Sequence, residues 1–336
     1  MDDPIGNNDA RDADATADAV SGSGTERRAG HHLVLVGPTA SGKSSVALQL
    51  ARRRRSRGEL VEIVTVDSMQ VYRGMDIGTA SPTAAERDEV PHHLVDVVDP
   101  HEEYSVAEFR AAANAVLDDV ESRGGAAIVV GGTGLYVQAL VDGLELPGRF
   151  PEVSAELDTE PRTDVLLARL RELDPVAASR IEPGNRRRVL RALEVTVGSG
   201  RPFSSFGPGL DAYPDTPFVL TGLQIDRALL AARVEARYEA QMAAGFLDEV
   251  RALLARPEPM SRTAAQALGY RELAEHLRGE RDLDEALRLA IDRTRQFGVR
   301  QIRWFRRDPR IEWFEHTGDP SQVLDALDRH WHRAAS

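Results

Sequence analysis

The sequence predicts an α/β fold: a parallel sheet flanked by helices and interrupted by a helical insert. Three observations carry this. Short β-branched runs alternate with helical stretches, a Gly-rich turn joins the first run to the first helix, and the alternation lapses between residues 143 and 215. The first run, Leu33-Val34-Leu35-Val36, reads as a buried strand, with a helix from Ser44 to Arg55 after it. Val61 to Val66 is a second strand and stops at Asp67. Ser105 and Glu108 have capping-box spacing. Val106, Phe109, Ala113, Val116, Leu117 and Val120 then fall on one helical face, which Gly124 closes. Ala126 to Val130 is another buried strand, running into Gly131-Gly132-Thr133-Gly134, and a further helix extends from there to Gly143.

Residues 143–162 are rich in Pro, Gly and acids, and Thr163, Asp174 (with Pro175 behind it) and Asn185 look like successive helix starts with no strand between them. Phe218 to Ile225 resumes as a strand. Helices are expected over about 227–244, 246–255, 263–277 and 283–306. The expected organisation is a disordered acidic tail over 1–30, a core formed by 31–142 and 216–336, and a helical insert over 143–215.

The 336 residues are 42% hydrophobic, enough for a substantial core. No apolar run reaches the ~18 residues a membrane helix needs, and the N-terminus does not resemble a secretory signal. There are no cysteines, which excludes disulfides, thiolate zinc sites and a cysteine nucleophile. A cytoplasmic monomer is the expectation. The net charge of −12 argues against a polyanionic partner when taken alone. Residues 1–30 hold seven acids and three arginines, however, and the remainder contains dense arginine clusters.

Gly37-Pro38-Thr39-Ala40-Ser41-Gly42-Lys43-Ser44 matches G-x-x-x-x-G-K-[ST], between a strand and a helix as that motif requires. The fold is therefore P-loop NTPase-like. Backbone N–H groups and the helix N-terminus face phosphate oxygens, Lys43 adds a point charge, and the Ser44 hydroxyl can help hold Mg²⁺. The motif specifies a diphosphate or triphosphate without specifying ATP. In a parallel sheet, ligands lie beyond the carboxyl ends of the strands, where Asp67 and Gly131 to Thr133 stand. Asp67 suits a general base, a magnesium carboxylate or a turn cap. The glycines occupy the place where many ATPases carry their magnesium Asp, which disfavours a water-activating ATPase. They would let a substrate approach the backbone, and Thr133 offers a hydroxyl or a helix N-cap.

Several segments together resemble the bacterial tRNA dimethylallyltransferases. They are the phosphate loop; Asp67 to Ala80, with Gln70, Tyr72, Asp76 and Thr79; His92 to Asp96 with Asp99-Pro100; Tyr104-Ser105 and Phe109-Arg110; Val130 to Tyr136; Arg188 to Val195; Gly269-Tyr270; and Thr294 to Phe305. The resemblance runs from about 33 to 307 and is most specific over 67–80. It implies transfer of a dimethylallyl group from dimethylallyl diphosphate to N6 of an adenine beside the anticodon of tRNA. It also implies that Asp67 is the base, that Thr133 touches substrate near the reacting centre, and that Arg237 holds the diphosphate. Asp67, Ser68, Met69, Gln70, Thr133, Arg187, Arg188, Arg191, Arg295, Arg300 and Arg303 would contact the anticodon stem-loop. The acidic N-terminal extension departs from the family pattern, and the absence of a C-terminal zinc finger found in some relatives fits the lack of cysteine.

The chemistry is coherent on these residues. The transition state builds negative charge on diphosphate, which loop N–H groups, Lys43, Mg²⁺ and Arg237 would meet. The target base must be swung out of its loop, and the Gln70 amide suits an adenine edge. Arg52 to Arg55 and Arg57, at the end of the first helix, read as mostly a solvated face. Arg186, Arg187, Arg188 and Arg191 stand at a helix start, where the dipole disfavours them and an anionic partner would compensate. Arg293, Arg295, Arg300, Arg303, Arg306 and Arg307 recur along one helix with Trp304, as an RNA-phosphate surface would require. Competing readings are a P-loop small-molecule or nucleotide kinase, a prenyltransferase acting on free adenylate, and a nucleotide-gated RNA-binding switch without chemistry.

Overall fold

A computed structural model describes residues 31–207 and 209–335. The expected disordered tail lies outside the described residues. In chain order the strands are β1 (Leu33–Val36), β2 (Val61–Val66), β3 (His92–His93), β4 (Ala126–Gly131), β5 (Val219–Gln224) and β6 (Glu312–Glu315). They form one sheet in the order β3-β2-β4-β1-β5-β6, parallel throughout. Consecutive residues of the central strands are buried, as expected for strands covered on both faces.

Side-chain alternation along the strands divides the core into two layers. Leu33, Leu35, Ile63 and Ile128 face α1 (Lys43–Arg55) and α13 (Leu324–Ala335). Val34, Val36, Val64 and Val129 face the opposite layer. That layer contains α3 (Val106–Ser122), α4 (Gly134–Val141), α9 (Arg227–Ala243), α10 (Phe246–Leu254), α11 (Tyr270–Leu277) and α12 (Leu283–Phe305). The capping box at Ser105 is present, with Glu108 N donating to the Ser105 hydroxyl and Ser105 N to the Glu108 carboxylate.

The insert is formed by α5 (Pro151–Asp158), α6 (Thr163–Leu173), α7 (Pro175–Arg180) and α8 (Arg186–Ser199). Asp174 and Asn185 cap α7 and α8 by accepting from Ala177 N and Arg188 N. Leu157, Leu166, Leu170, Ile181, Val189 and Leu193 belong to an apolar cluster separate from the two sheet layers.

Several elements were not anticipated. The two-residue β3 and the half-exposed β6 are edge strands, and α2 (Ala84–Glu89) is too short for its period to register. Helix α5 lies inside the Pro- and acid-rich stretch, with Pro151 in its first turn. The helix expected over 263–277 is broken. Gly269 sits at φ 87°, and a Cβ there would lie 2.8 Å from the Phe246 ring, so a 3₁₀ turn precedes α11.

Arg52, Arg55 and Arg57 are exposed, as a mostly solvated face requires, but helix α13 makes Arg54 an exception. Arg54 is 7% exposed and stacks 3.9 Å from the Trp331 ring centroid. It donates to Asp328 at 2.8 Å, as Arg57 does, and Arg53 pairs with Asp325. Arg53, Arg54 and Arg57 thus anchor α13 on the end of α1. Trp331 is 1% exposed, and its indole N–H reaches His31 O at 3.2 Å. Trp331→Ala is expected to destabilise the fold by ~3–5 kcal/mol, read as a lower urea midpoint, because it removes a large buried ring and the face on which the Arg54 guanidinium stacks.

Candidate active site

Strand register builds the site. Val36 and Val66 both pair with Gly131, so the residues that follow these three emerge side by side at the carboxyl end of the parallel strands. Gly37, Asp67 and Gly132 are those residues. The phosphate loop turns tightly: Ser41 N donates to Pro38 O at 3.2 Å, and Ala40 and Gly42 take left-handed φ values of 61° and 89°. Gly42 is the N-cap of α1 and has no capping side chain, which leaves the first helical N–H groups facing the loop. The loop is braced from behind by His316, whose Nε2 lies 2.8 Å from Ser41 O.

Lys43 is the only lysine in the chain. Its Nζ donates to Pro38 O at 3.3 Å. Burial lowers its pKa to about 8; Asp67 opposes that shift and Arg237 adds to it. Arg237, on α9, donates through Nη1 to Thr39 Oγ1 (3.1 Å) and through Nη2 to Gly78 O (3.0 Å). Burial lowers its pKa as well, with Tyr238 and Asp67 opposing. Lys43, Arg237 and Asp67 therefore share one electrostatic environment, two cations against one carboxylate. This is an unfavourable arrangement until an anion enters.

Asp67 lines the same cleft as Lys43. Its Oδ1 accepts from Met69 N at 2.8 Å, so it closes a turn at the strand end while still facing the cleft. Thr133 stands at the N-cap of α4, yet its side chain does not cap the helix. Its Oγ1 accepts from Ser68 N at 3.3 Å and ties the glycine turn to the residue after Asp67. Gln70 is buried and its Nε2 already donates to Thr79 O and Ala80 O, both at 3.1 Å.

The glycine turn also serves packing. A Cβ on Gly131 would lie 2.0 Å from Val66 O, one on Gly132 2.2 Å from Gln301 Nε2, and one on Gly134 2.4 Å from the Trp304 ring. The protein's own atoms fill the space on the Cβ side of these glycines, while Gly131 still lines the cleft. Gln301 was not singled out from sequence for this role. It is 6% exposed, accepts from Thr39 N and donates to Gly132 O, each at 2.8 Å, and so bridges the phosphate loop and the glycine turn. A sequence signal existed: with Ala286, Ala290, Thr294, Gly298 and Phe305 it lies on the buried stripe of α12, where an amide needs internal partners. Gln301→Ala is expected to lower kcat/KM about 10–100-fold, since it leaves a loop N–H and a turn C=O unpaired and frees Asp67 and the phosphate loop from common registration. Steady-state kinetics on the folded variant check this.

One cleft of about 2900 Å³ unites Lys43, Ser44, Asp67, Thr133 and Arg237 with Arg187, Arg188 and Arg191 of the insert and with α12. A sequence comparison decides the family: residues 70–308 match that of the IPP transferases. The chain belongs to the IPP transferase family. A tRNA dimethylallyltransferase of Kineococcus radiotolerans is 48% identical over 301 residues, covering 88% of this chain and 94% of the relative. One from Geobacter metallireducens is 44% identical over 306 residues, covering 89% and 97%. Among solved structures, the tRNA isopentenylpyrophosphate transferase of Bacillus halodurans superposes with a TM-score of 0.65 at 34% identity, covering 90% of this chain and 97% of that one. A eukaryotic dimethylallyltransferase solved acting on tRNA gives a TM-score of 0.71 at 26% identity, covering 87% and 75%.

Against this family background the arginines divide into two groups. Arg187 and Arg188 are exposed in the cleft, and among the described residues their side chains have no bonding partner. Arg191 is committed internally, to Glu194 and to the carbonyls of Pro147 and Gly148. On α12, Phe297, Arg300 and Trp304 line the cleft, joined by Arg307 in the turn just beyond it; Arg300 lies over the Phe297 ring, and Arg307 lies over Trp304 and pairs with Asp211 at 3.2 Å. Arg295 instead pairs with Glu235 and Asp292, Arg293 with the buried Glu272, and Arg306 bonds Gln224. Arg303 is exposed away from the cleft lining. Of the arginines within the helix, Arg300 therefore faces the cleft, while a 3.6-residue period places Arg293, Arg295 and Arg303 elsewhere around the cylinder.

Proposed function

We propose that the protein transfers a dimethylallyl group from dimethylallyl diphosphate to N6 of the adenine 3′-adjacent to the anticodon (position 37) of tRNA, releasing diphosphate. The observation that carries this is the single cleft, in which a phosphate loop, a strand-end carboxylate and the basic face of a helical insert meet. The adenine N6 lone pair attacks the allylic carbon and the C–O bond to diphosphate breaks. Its electron pair leaves on the diphosphate, held by loop N–H groups, Lys43 and Arg237. Asp67 takes the N6 proton, and Thr133 stands beside it. A base extruded from the anticodon loop would reach these groups past Arg187, Arg188 and the aromatic-lined face of α12.

The residues also fit Mg²⁺. The Ser44 hydroxyl is exposed to the cleft and has no partner among the described residues, and no cluster of three metal-ligating side chains occurs among them. An ion would be held by Ser44 jointly with the substrate diphosphate, where it supplies charge neutralisation of the leaving group. No helix among the described residues is long and apolar enough to cross a membrane. The reading includes action in the cytoplasm as a monomer.

The test incubates the protein with dimethylallyl diphosphate, Mg²⁺ and unmodified tRNA bearing adjacent adenines after the anticodon, and analyses the nucleosides by mass spectrometry. A dimethylallyl adenosine at position 37 is expected. Absence of that nucleoside, or consumption of ATP in its place, sinks the proposal.

A further inference from the structure

The geometry points to Glu249, a carboxylate outside the cleft, as a positioning residue for the diphosphate through the turn that holds Arg237. This rests on the reading of the cleft as a diphosphate site. Glu249 lies on α10, and four donors converge on it. Oε2 accepts from the backbone N–H groups of Asp76 (3.0 Å) and Ile77 (2.8 Å); Oε1 accepts from Gly78 N (3.2 Å) and the Tyr270 hydroxyl (2.6 Å). Burial, reinforced by the Glu249 charge, raises the Tyr270 pKa and keeps its phenol protonated as a donor.

The same turn is gripped from its carbonyl side. Gln241 Nε2 donates to Ile77 O (2.7 Å) and Gly78 O (2.9 Å), and Gln70 Nε2 to Thr79 O and Ala80 O. Gly78 is pressed against Phe246 and Tyr270 so closely that a Cβ would lie 2.3 Å and 2.4 Å from those rings. Ala80 is held at φ 54°, a conformation that a non-glycine residue keeps only when its surroundings enforce it.

Such extensive fixation has an identifiable beneficiary. The Gly78 carbonyl accepts one arm of Arg237, whose other arm reaches Thr39 in the phosphate loop. The position of that carbonyl therefore sets where the guanidinium stands relative to Lys43. Glutamate suits the task because a carboxylate only accepts, and all four groups bonded to it donate. A glutamine would turn an N–H₂ group toward donors and let the turn shift, while the shape of the side chain stays nearly the same.

The experiment compares wild type with Glu249→Gln and Tyr270→Phe, each checked as folded by circular dichroism. Binding of inorganic diphosphate with Mg²⁺ is measured by calorimetry, alongside KM for dimethylallyl diphosphate and for tRNA. Glu249→Gln is expected to weaken diphosphate binding and raise the prenyl-donor KM about tenfold, and Tyr270→Phe about threefold, with the tRNA KM within about twofold. A role in general packing alone would lower the melting temperature and leave the folded variant's diphosphate affinity intact. That result in Glu249→Gln, or in Tyr270→Phe should the former not fold, overturns the assignment. Wild type that binds diphosphate but prenylates no tRNA would defeat the proposed reaction, and the diphosphate titrations would still decide the role of Glu249.

Discussion

Asp67→Asn is expected to lower kcat for tRNA prenylation about 10²–10⁴-fold while diphosphate affinity stays within about threefold of wild type. Asparagine is the informative substitution because Oδ1 of Asp67 accepts from Met69 N, and an asparagine oxygen can keep that bond. The turn after β2 then survives and only the proton acceptor is lost. Alanine would remove both, and a drop in rate would not separate chemistry from a collapsed loop. Single-turnover measurements at saturating donor and tRNA provide the check. If Asp67→Asn retained kcat within about threefold, the carboxylate would be a turn cap and the base would have to be sought elsewhere.

Lys43→Met should have the second large effect, with opposite signs on function and stability. Diphosphate binding is expected to fall at least about 10²-fold, through loss of the cation beside the loop N–H groups. The folded apo-protein should nevertheless become more stable at neutral pH, with a melting temperature higher by about 2–4 °C. The sign follows from linkage. The folded-state pKa of Lys43, about 8, lies below the ordinary value of 10.5, so folding disfavours the charged form. The penalty is present in full below pH 8 and is relieved as pH rises toward 10.5, because the unfolded chain binds the extra proton in that window. For the wild type, kcat/KM for the prenyl donor is expected to decline above about pH 8 as the free enzyme loses this charge. A flat profile from pH 7 to 9.5 would contradict the role given to Lys43. Since no other side chain carries a primary amine, acylation of Lys43 can be followed by mass spectrometry, and dimethylallyl diphosphate should slow it.

Elements with a strong local signal were legible in the sequence. The central strands form within a residue of their expected bounds because all lie in buried, β-branched runs. Ser105, Asp174 and Asn185 each cap a helix because a short polar side chain can reach an unpaired N–H one turn ahead, wherever the chain then goes. Edge strands β3 and β6 and helix α13 escaped notice because tertiary neighbours stabilise them. Strand β6 is formed by pairing with β5, and α13 by Trp331 and Asp328 docking on the arginines of α1.

The sequence by itself determined the chemistry on offer: a phosphate-binding loop, a strand-end aspartate, a glycine turn and arginine clusters, in an order that identified a family. These are signals of composition and spacing, read over a few residues. What only the tertiary structure decided is which of those groups are free to meet a ligand. Packing spends the glycines of the turn on Val66, Gln301 and Trp304, commits Arg191 and Arg293 to the internal carboxylates of Glu194 and Glu272, and engages the Gln70 amide with a neighbouring loop. The physical reason is that a buried hydrogen-bonding group must find a partner, and the partner is usually remote in sequence. Whether an arginine or an amide serves the fold or the substrate is settled by what the folded chain brings within about 3 Å of it.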